Sequence, residues 1–144
     1  MRRQIEPTTA AAAFCGHALW GLVYLASTVV PALAAGDAAR GERVFQRCFA
    51  CHSIDANETA RLQGPSLYRI MGRPAGIVPG FEYSDAMRIK ASAGLVWDAA
   101  TLDRYIADPE GLVPGTAMGA PPLRDEQERA DLLAYLARTG SYGP

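Results

Sequence analysis

Five consecutive residues carry the densest chemistry in the chain: Cys48-Phe49-Ala50-Cys51-His52. Two thiols separated by two residues can add to the two vinyl groups of one porphyrin. A histidine directly after them can reach the iron, so C-x-x-C-H is the spacing of covalent haem capture. Two other chemistries use paired thiols. A thioredoxin-type couple needs a strand–helix–strand context, and the flanking sequence shows no such alternation. A closed zinc site takes four ligands, and no second Cys/His pair partners Cys48, Cys51 and His52. Covalent haem is the leading reading.

The second iron ligand follows from counting. His17 lies in an N-terminal apolar segment, and once that segment is removed His52 is the only histidine. Intramolecular bis-histidine ligation is then excluded, which leaves Met71, Met87 and Met118 as neutral soft donors. Met118 ends the turn-forming run Val113-Pro114-Gly115-Thr116-Ala117-Met118, between two expected helices. Such a loop can lay a thioether across the open haem face. Met71 and Met87 sit in segments that read better as packing, and core filling is the alternative role for any methionine. With Met118 and His52 as ligands the haem potential is raised and no coordination position stays open, which favours electron transfer over catalysis.

These residues need a scaffold and a compartment. The chain has 144 residues, room for one domain, and a net charge of −1, which gives no basic footprint for nucleic acid. Arg2 and Arg3 precede an uncharged run from Pro7 to Gly36 that closes on Ala32 and Ala34. A positive start, an apolar middle and an A-x-A end make residues 1–34 a signal peptide and residues 35–144 the functional domain. An uncleaved anchor competes, because Ala10 to Val30 reaches the ~20 residues a bilayer needs. Against it, Asp37 opens an amphipathic segment at once and leaves no linker. Cleavage after Ala34 or Ala35 discards Cys15 and delivers Cys48 and Cys51 to an oxidising compartment. Arg2-Arg3 also fits twin-arginine export. Haem addition to an unfolded translocated chain favours general secretion.

Within the mature region, Asp37 caps a helix running towards Cys48, with Val44, Phe45 and Phe49 at helical spacing. Gly64 to Gly80 reads as loop, broken by a short helix around Leu67 to Met71. A loop this long in a small domain needs something to wrap around. Asp98 begins a helix with Leu102, Tyr105 and Ile106 on one face, ended by Asp108-Pro109. Asp125, with Glu128 three residues on, begins the last helix, whose buried stripe is Leu132, Leu133, Tyr135 and Leu136 and whose end is Gly140. No segment reads as a strand. The expected fold is all-α.

Taken together, Cys48 to His52 and Pro114 to Met118 resemble the small class I cytochromes c, in order and over Gly36 to about Gly140. The resemblance implies three main helices plus a short helix and loops wrapped around one covalent haem c. It implies that the Pro65 carbonyl accepts the proton of the iron-bound imidazole, fixing its orientation. It sets Arg73, Tyr83 and Trp97 near the haem propionates, and Tyr105 and Thr116 beside the methionine and the propionate edge. Gly41 and Phe45 match positions where the first helix crosses the last, near Leu132 and Tyr135. The sequence also departs from the family. Lys90 is the only lysine, Glu110, Gly111 and Ala117 stand where relatives carry lysines, Ala120 replaces an aromatic residue, and Met87 replaces a polar one.

The expectation is therefore a monomeric periplasmic one-electron carrier, not an enzyme, working between a reductase and an oxidase or other acceptor. Its partners would be membrane redox complexes (a quinol–cytochrome c reductase, a terminal oxidase or a photosynthetic reaction centre) or soluble periplasmic redox enzymes. A membrane-anchored electron-transfer subunit is one alternative. A haem protein with a labile Met118 and peroxidase or ligand-binding activity is the other, and no distal histidine supports it.

Overall fold

The computed structural model describes residues 35–58 and 60–143. The signal peptide expected over 1–34, with Cys15 and His17, lies outside the described residues. The elements in chain order are α1 (Ala38–Phe45), β1 (Arg73–Pro74), α2 (Asp85–Ser92), β2 (Val96–Trp97), α3 (Ala99–Ala107), α4 (Pro109–Leu112) and α5 (Glu126–Ala137).

Three aspartates start the helices that were expected to begin with them. Asp37, Asp98 and Asp125 hold extended backbone ahead of α1, α3 and α5. Their carboxylates accept from Arg40 N–H at 2.8 Å, Thr101 N–H at 2.7 Å and Glu128 N–H at 2.9 Å, which satisfies amides that a helix start leaves free.

The frame is the crossing of α1 on α5. Helix α1 buries Gly41, Val44 and Phe45, and α5 buries Leu132 and Leu136 in the same apolar cluster. The rings of Phe45 and Tyr135 lie 5.6 Å apart. A Cβ on Gly41 would land on the Asp131 carbonyl and 2.8 Å from Tyr135 Cβ, so the glycine sets how closely the backbones approach. Beside it, the buried Asp131 carboxylate accepts from Asp37 N–H at 2.7 Å, Arg40 Nε at 2.6 Å, Arg40 Nη2 at 2.8 Å and Gln127 Nε2 at 2.9 Å. The Arg40 guanidinium holds this carboxyl well below the usual carboxylate range.

Four features differ from the sequence expectation. Strands do occur, as a two-residue antiparallel pair with Arg73 opposite Trp97 and Pro74 opposite Val96. Pro74 has no N–H to give, so the flanks carry the pairing: Gly72 N–H donates to Trp97 O at 3.0 Å and Ala75 N–H to Leu95 O at 2.8 Å. The short helix expected at Leu67 to Met71 is not formed. Arg69 stands at φ 52°, and its N–H donates to Thr139 Oγ1 at 2.9 Å. The Arg69 guanidinium donates to Ser141 O at 2.6 Å and Gly143 O at 2.7 Å, while Tyr142 N–H donates to Met71 O at 2.7 Å. The C-terminal tail thus takes the backbone groups a local helix would have used. Helices α2 and α4 were not expected. Ser84 caps α2, accepting from Met87 N–H at 3.3 Å. Asp108 caps α4, accepting from Gly111 N–H at 3.0 Å, with Pro109 as the first helical residue. Apart from the two-residue strands, the elements among the described residues are all α-helices.

Candidate haem site

The chain keeps turning past the end of α1. Cys48 N–H donates to Phe45 O at 2.7 Å, and Cys51 and His52 N–H both donate to Cys48 O at 3.0 and 2.9 Å. These bonds present the two cysteines and the histidine from successive turns. Both thiols are free. Cys48 packs against the apolar cluster, and burial pushes its thiol up, partly opposed by the charge of Arg47.

A strap formed by Gly64 to Leu67 lies along the motif: Gly64 N–H donates to Cys51 O at 2.8 Å and Leu67 N–H to Ser53 O at 2.7 Å. It controls the His52 ring in two ways. A Cβ on Gly64 would overlie His52 Cε1 and stand 2.5 Å from Nδ1 and 2.6 Å from Nε2, so only glycine lets the ring lie flat on the strap. Nδ1 sits 2.8 Å from Pro65 O. A carbonyl can only accept, so Nδ1 carries the proton and the Nε2 lone pair is free for a metal. Burial lowers the imidazole pKa and so favours the neutral ring, while the Pro65 bond acts in the opposite direction.

The other expected residues form a connected series. Arg73 is 7% exposed, and its guanidinium donates to Ser66 O at 2.7 Å and Tyr68 O at 3.1 Å. Among the described residues its hydrogen bonds reach neutral carbonyls alone. A buried cation in that state lacks a compensating negative charge, and burial lowers its pKa. The Tyr83 hydroxyl accepts from Val78 N–H at 3.3 Å. Arg73 faces Trp97 across the strand pair, and the Trp97 ring lies 5.1 Å from that of Tyr105. Tyr105 and Thr116 share a 2.6 Å hydroxyl hydrogen bond, and Thr116 Oγ1 accepts from Met118 N–H at 3.3 Å. Met118 is partly buried on the same apolar cluster as Cys48.

Two contributors were not singled out from sequence. Gly64 lies in a stretch that reads as loop from composition, although a glycine just before the histidine's carbonyl partner signals close approach. Glu110 stands out in sequence only as a departure from the lysines of relatives, yet its Oε2 accepts from Gly115 N–H at 2.9 Å.

The residues present fit a covalent porphyrin: paired free thiols, an imidazole with its metal-facing nitrogen unprotonated, a thioether on the shared apolar cluster, and a buried guanidinium short of a carboxylate. Helical fold and thiol–histidine motif together define a c-type haem protein. Residues 38–140 match the family described as Cytochrome c, and the chain belongs to that family. It is 45% identical to a cytochrome c2 of Rhodomicrobium vannielii over 74% of this chain and 82% of that one. With a cytochrome c2 of Blastochloris viridis the identity is 41%, over 87% and 94%. The solved cytochrome c2 of Rhodospirillum centenum superposes with a TM-score of 0.68 at 35% identity, covering 72% of this chain and 98% of that one. The protein is an electron carrier, not an enzyme, and holds one haem c covalently through Cys48 and Cys51.

Proposed function

We propose that the protein is a periplasmic one-electron carrier whose iron is held by His52 and Met118. The bound haem supplies the reversible Fe(III)/Fe(II) change. The observation that carries the proposal is the His52 Nδ1 bond to Pro65 O, which fixes the ring and leaves the Nε2 lone pair for the iron. The Tyr105–Thr116–Met118 bonds support the other half, since they tie the backbone of Met118 to α3. Arg73, Tyr83 and Trp97 are the residues proposed to meet the propionates, with Tyr105 and Thr116 at the methionine side. Two protein ligands in an apolar surround exclude water from the iron, so little rearranges when the charge changes.

Residues 1–34 are proposed to direct export and to be cleaved. The similarity to proteins named cytochrome c2 supports the carrier role and partners that are membrane redox complexes or soluble periplasmic redox enzymes. The test is an optical redox titration of protein made with periplasmic haem maturation. A clearly positive potential, low-spin spectra in both states and a far-red sulfur-to-iron band that Met118→Ala abolishes are expected. A high-spin ferric form or a low potential in the unsubstituted protein overturns His/Met ligation. Intact Met1 in the membrane fraction, read by mass spectrometry, overturns cleavage.

A further inference from the structure

We infer that Glu110 is a positioning residue for the Met118 loop: its carboxylate fixes the one peptide plane on which the approach of that methionine depends. The inference rests on Met118 as ligand.

Val113 to Thr116 form a hydrogen-bonded turn, with Thr116 N–H donating to Val113 O at 2.9 Å. Proline in the second position and Gly115 in the third at φ +80° make it type II. Val113, fully buried, anchors one end in the core. The weak point of such a turn is the central peptide between Pro114 and Gly115, which can rotate as a unit between the type I and type II states. In the observed state the Gly115 N–H plays no part in closing the turn and needs an outside acceptor. Glu110 provides it at 2.9 Å from the first turn of α4. In the flipped state the Pro114 carbonyl oxygen would turn towards the space the N–H leaves, and a carboxylate repels a carbonyl dipole. Glu110 therefore favours one plane and opposes the other.

The loop beyond the turn transmits this choice. Thr116 directly follows the fixed plane, and its hydroxyl joins Tyr105 and accepts from Met118 N–H. Downstream, the chain is tied again, with Leu123 N–H donating to Ile106 O at 2.9 Å and the buried Arg129 donating to Leu123 O at 3.0 Å and Arg124 O at 2.9 Å. Between these ties the Glu110 contact is the side-chain bond that sets the turn upstream of Met118.

The test compares ferric holoprotein carrying Glu110→Ala or Glu110→Gln with the unsubstituted protein. Imidazole is added as the competing iron ligand, the far-red band reports Met118, and amide exchange of Gly115 is read by NMR in the ferrous form. In Glu110→Ala, Gly115 exchange should quicken and the imidazole midpoint should fall about fivefold, the scale of one exposed hydrogen bond worth about 1 kcal/mol. Glu110→Gln keeps an acceptor oxygen and should restore most of both. Glu110 is exposed, so folding should survive either change. Faster Gly115 exchange with an unchanged imidazole midpoint overturns this inference and leaves Met118 ligation standing. Absence of the far-red band from the unsubstituted protein overturns both.

Discussion

Replacing Gly64 by alanine tests the strap that carries the histidine. Gly64 is not among the positive-φ glycines, so its backbone accepts alanine and the effect is steric. The new Cβ would overlie His52 Cε1 and stand 2.5 and 2.6 Å from the two ring nitrogens. That is about 1 Å inside ordinary contact. The ring must swing or the strap must retreat by that amount, and either movement opens the 2.8 Å bond to Pro65 O. Losing the bond and orphaning a partly buried carbonyl costs about 1–3 kcal/mol. Overpacking adds about 1–3 kcal/mol, and the stiffer unfolded chain returns about 0.4–1 kcal/mol. A net loss of about 3 kcal/mol, at about 4 °C per kcal/mol for a domain of this size, lowers the thermal midpoint by about 12 °C. Metal–nitrogen distances tolerate only about 0.2 Å, so the visible spectrum should change as well. The assay is thermal unfolding by circular dichroism beside the optical spectrum, with Gly94→Ala as the control. Gly94 has φ +83° and nothing within 4 Å, so alanine there costs about 1–2 kcal/mol of backbone strain and should leave the haem spectrum alone. An unchanged midpoint and spectrum in Gly64→Ala would refute the strap argument, as would an equal spectral change in Gly94→Ala.

Two further outcomes follow from the crossing of α1 on α5. Gly41→Ala gains about 1 kcal/mol of helix propensity, but its Cβ meets backbone of α5; the thermal midpoint should fall, and a rise would show that the helices have room to part. Asp131→Asn tests the buried carboxylate, whose folded pKa is depressed by Arg40. Stability from such a group is present above the ordinary carboxylate pKa of about 4 and is lost as pH falls below it. The difference in urea midpoint between Asp131→Asn and the unsubstituted protein should therefore be wide at neutral pH and shrink in acid. A difference independent of pH rules the ion pair out as its source.

What was legible in the sequence was local or motif-borne. Asp37, Asp98 and Asp125 announce their helices because a cap bonds three residues ahead, within reach of a short pattern. Ser84 does the same for α2, but that helix buries only Met87 and exposes Ile89, so no apolar stripe marks it. The thiol–histidine motif was visible because its chemistry lies in residue type, and the turn ahead of Met118 because proline and glycine mark it. The false helix at Leu67 to Met71 was a failure of range. Its competitors are Thr139, Ser141 and Gly143, separated from Arg69 by 70 to 74 positions, and local periodicity carries no trace of them. Glu110 was hidden for another reason: comparison with a family registers a lost lysine and says nothing of a gained acceptor.

The bonds from Asp37 and Arg40 to Asp131 span 94 and 91 positions, and the Arg69 latch on the tail spans 70 to 74. If the chain is exported N-terminus first, as proposed, neither contact can form until the last helix has emerged. Throughout that interval Cys48 and Cys51 stand on an open thread, within reach of whatever delivers the porphyrin. On that route closure by the tail comes late, and its lateness would separate the time for joining the haem from the time for enclosing it.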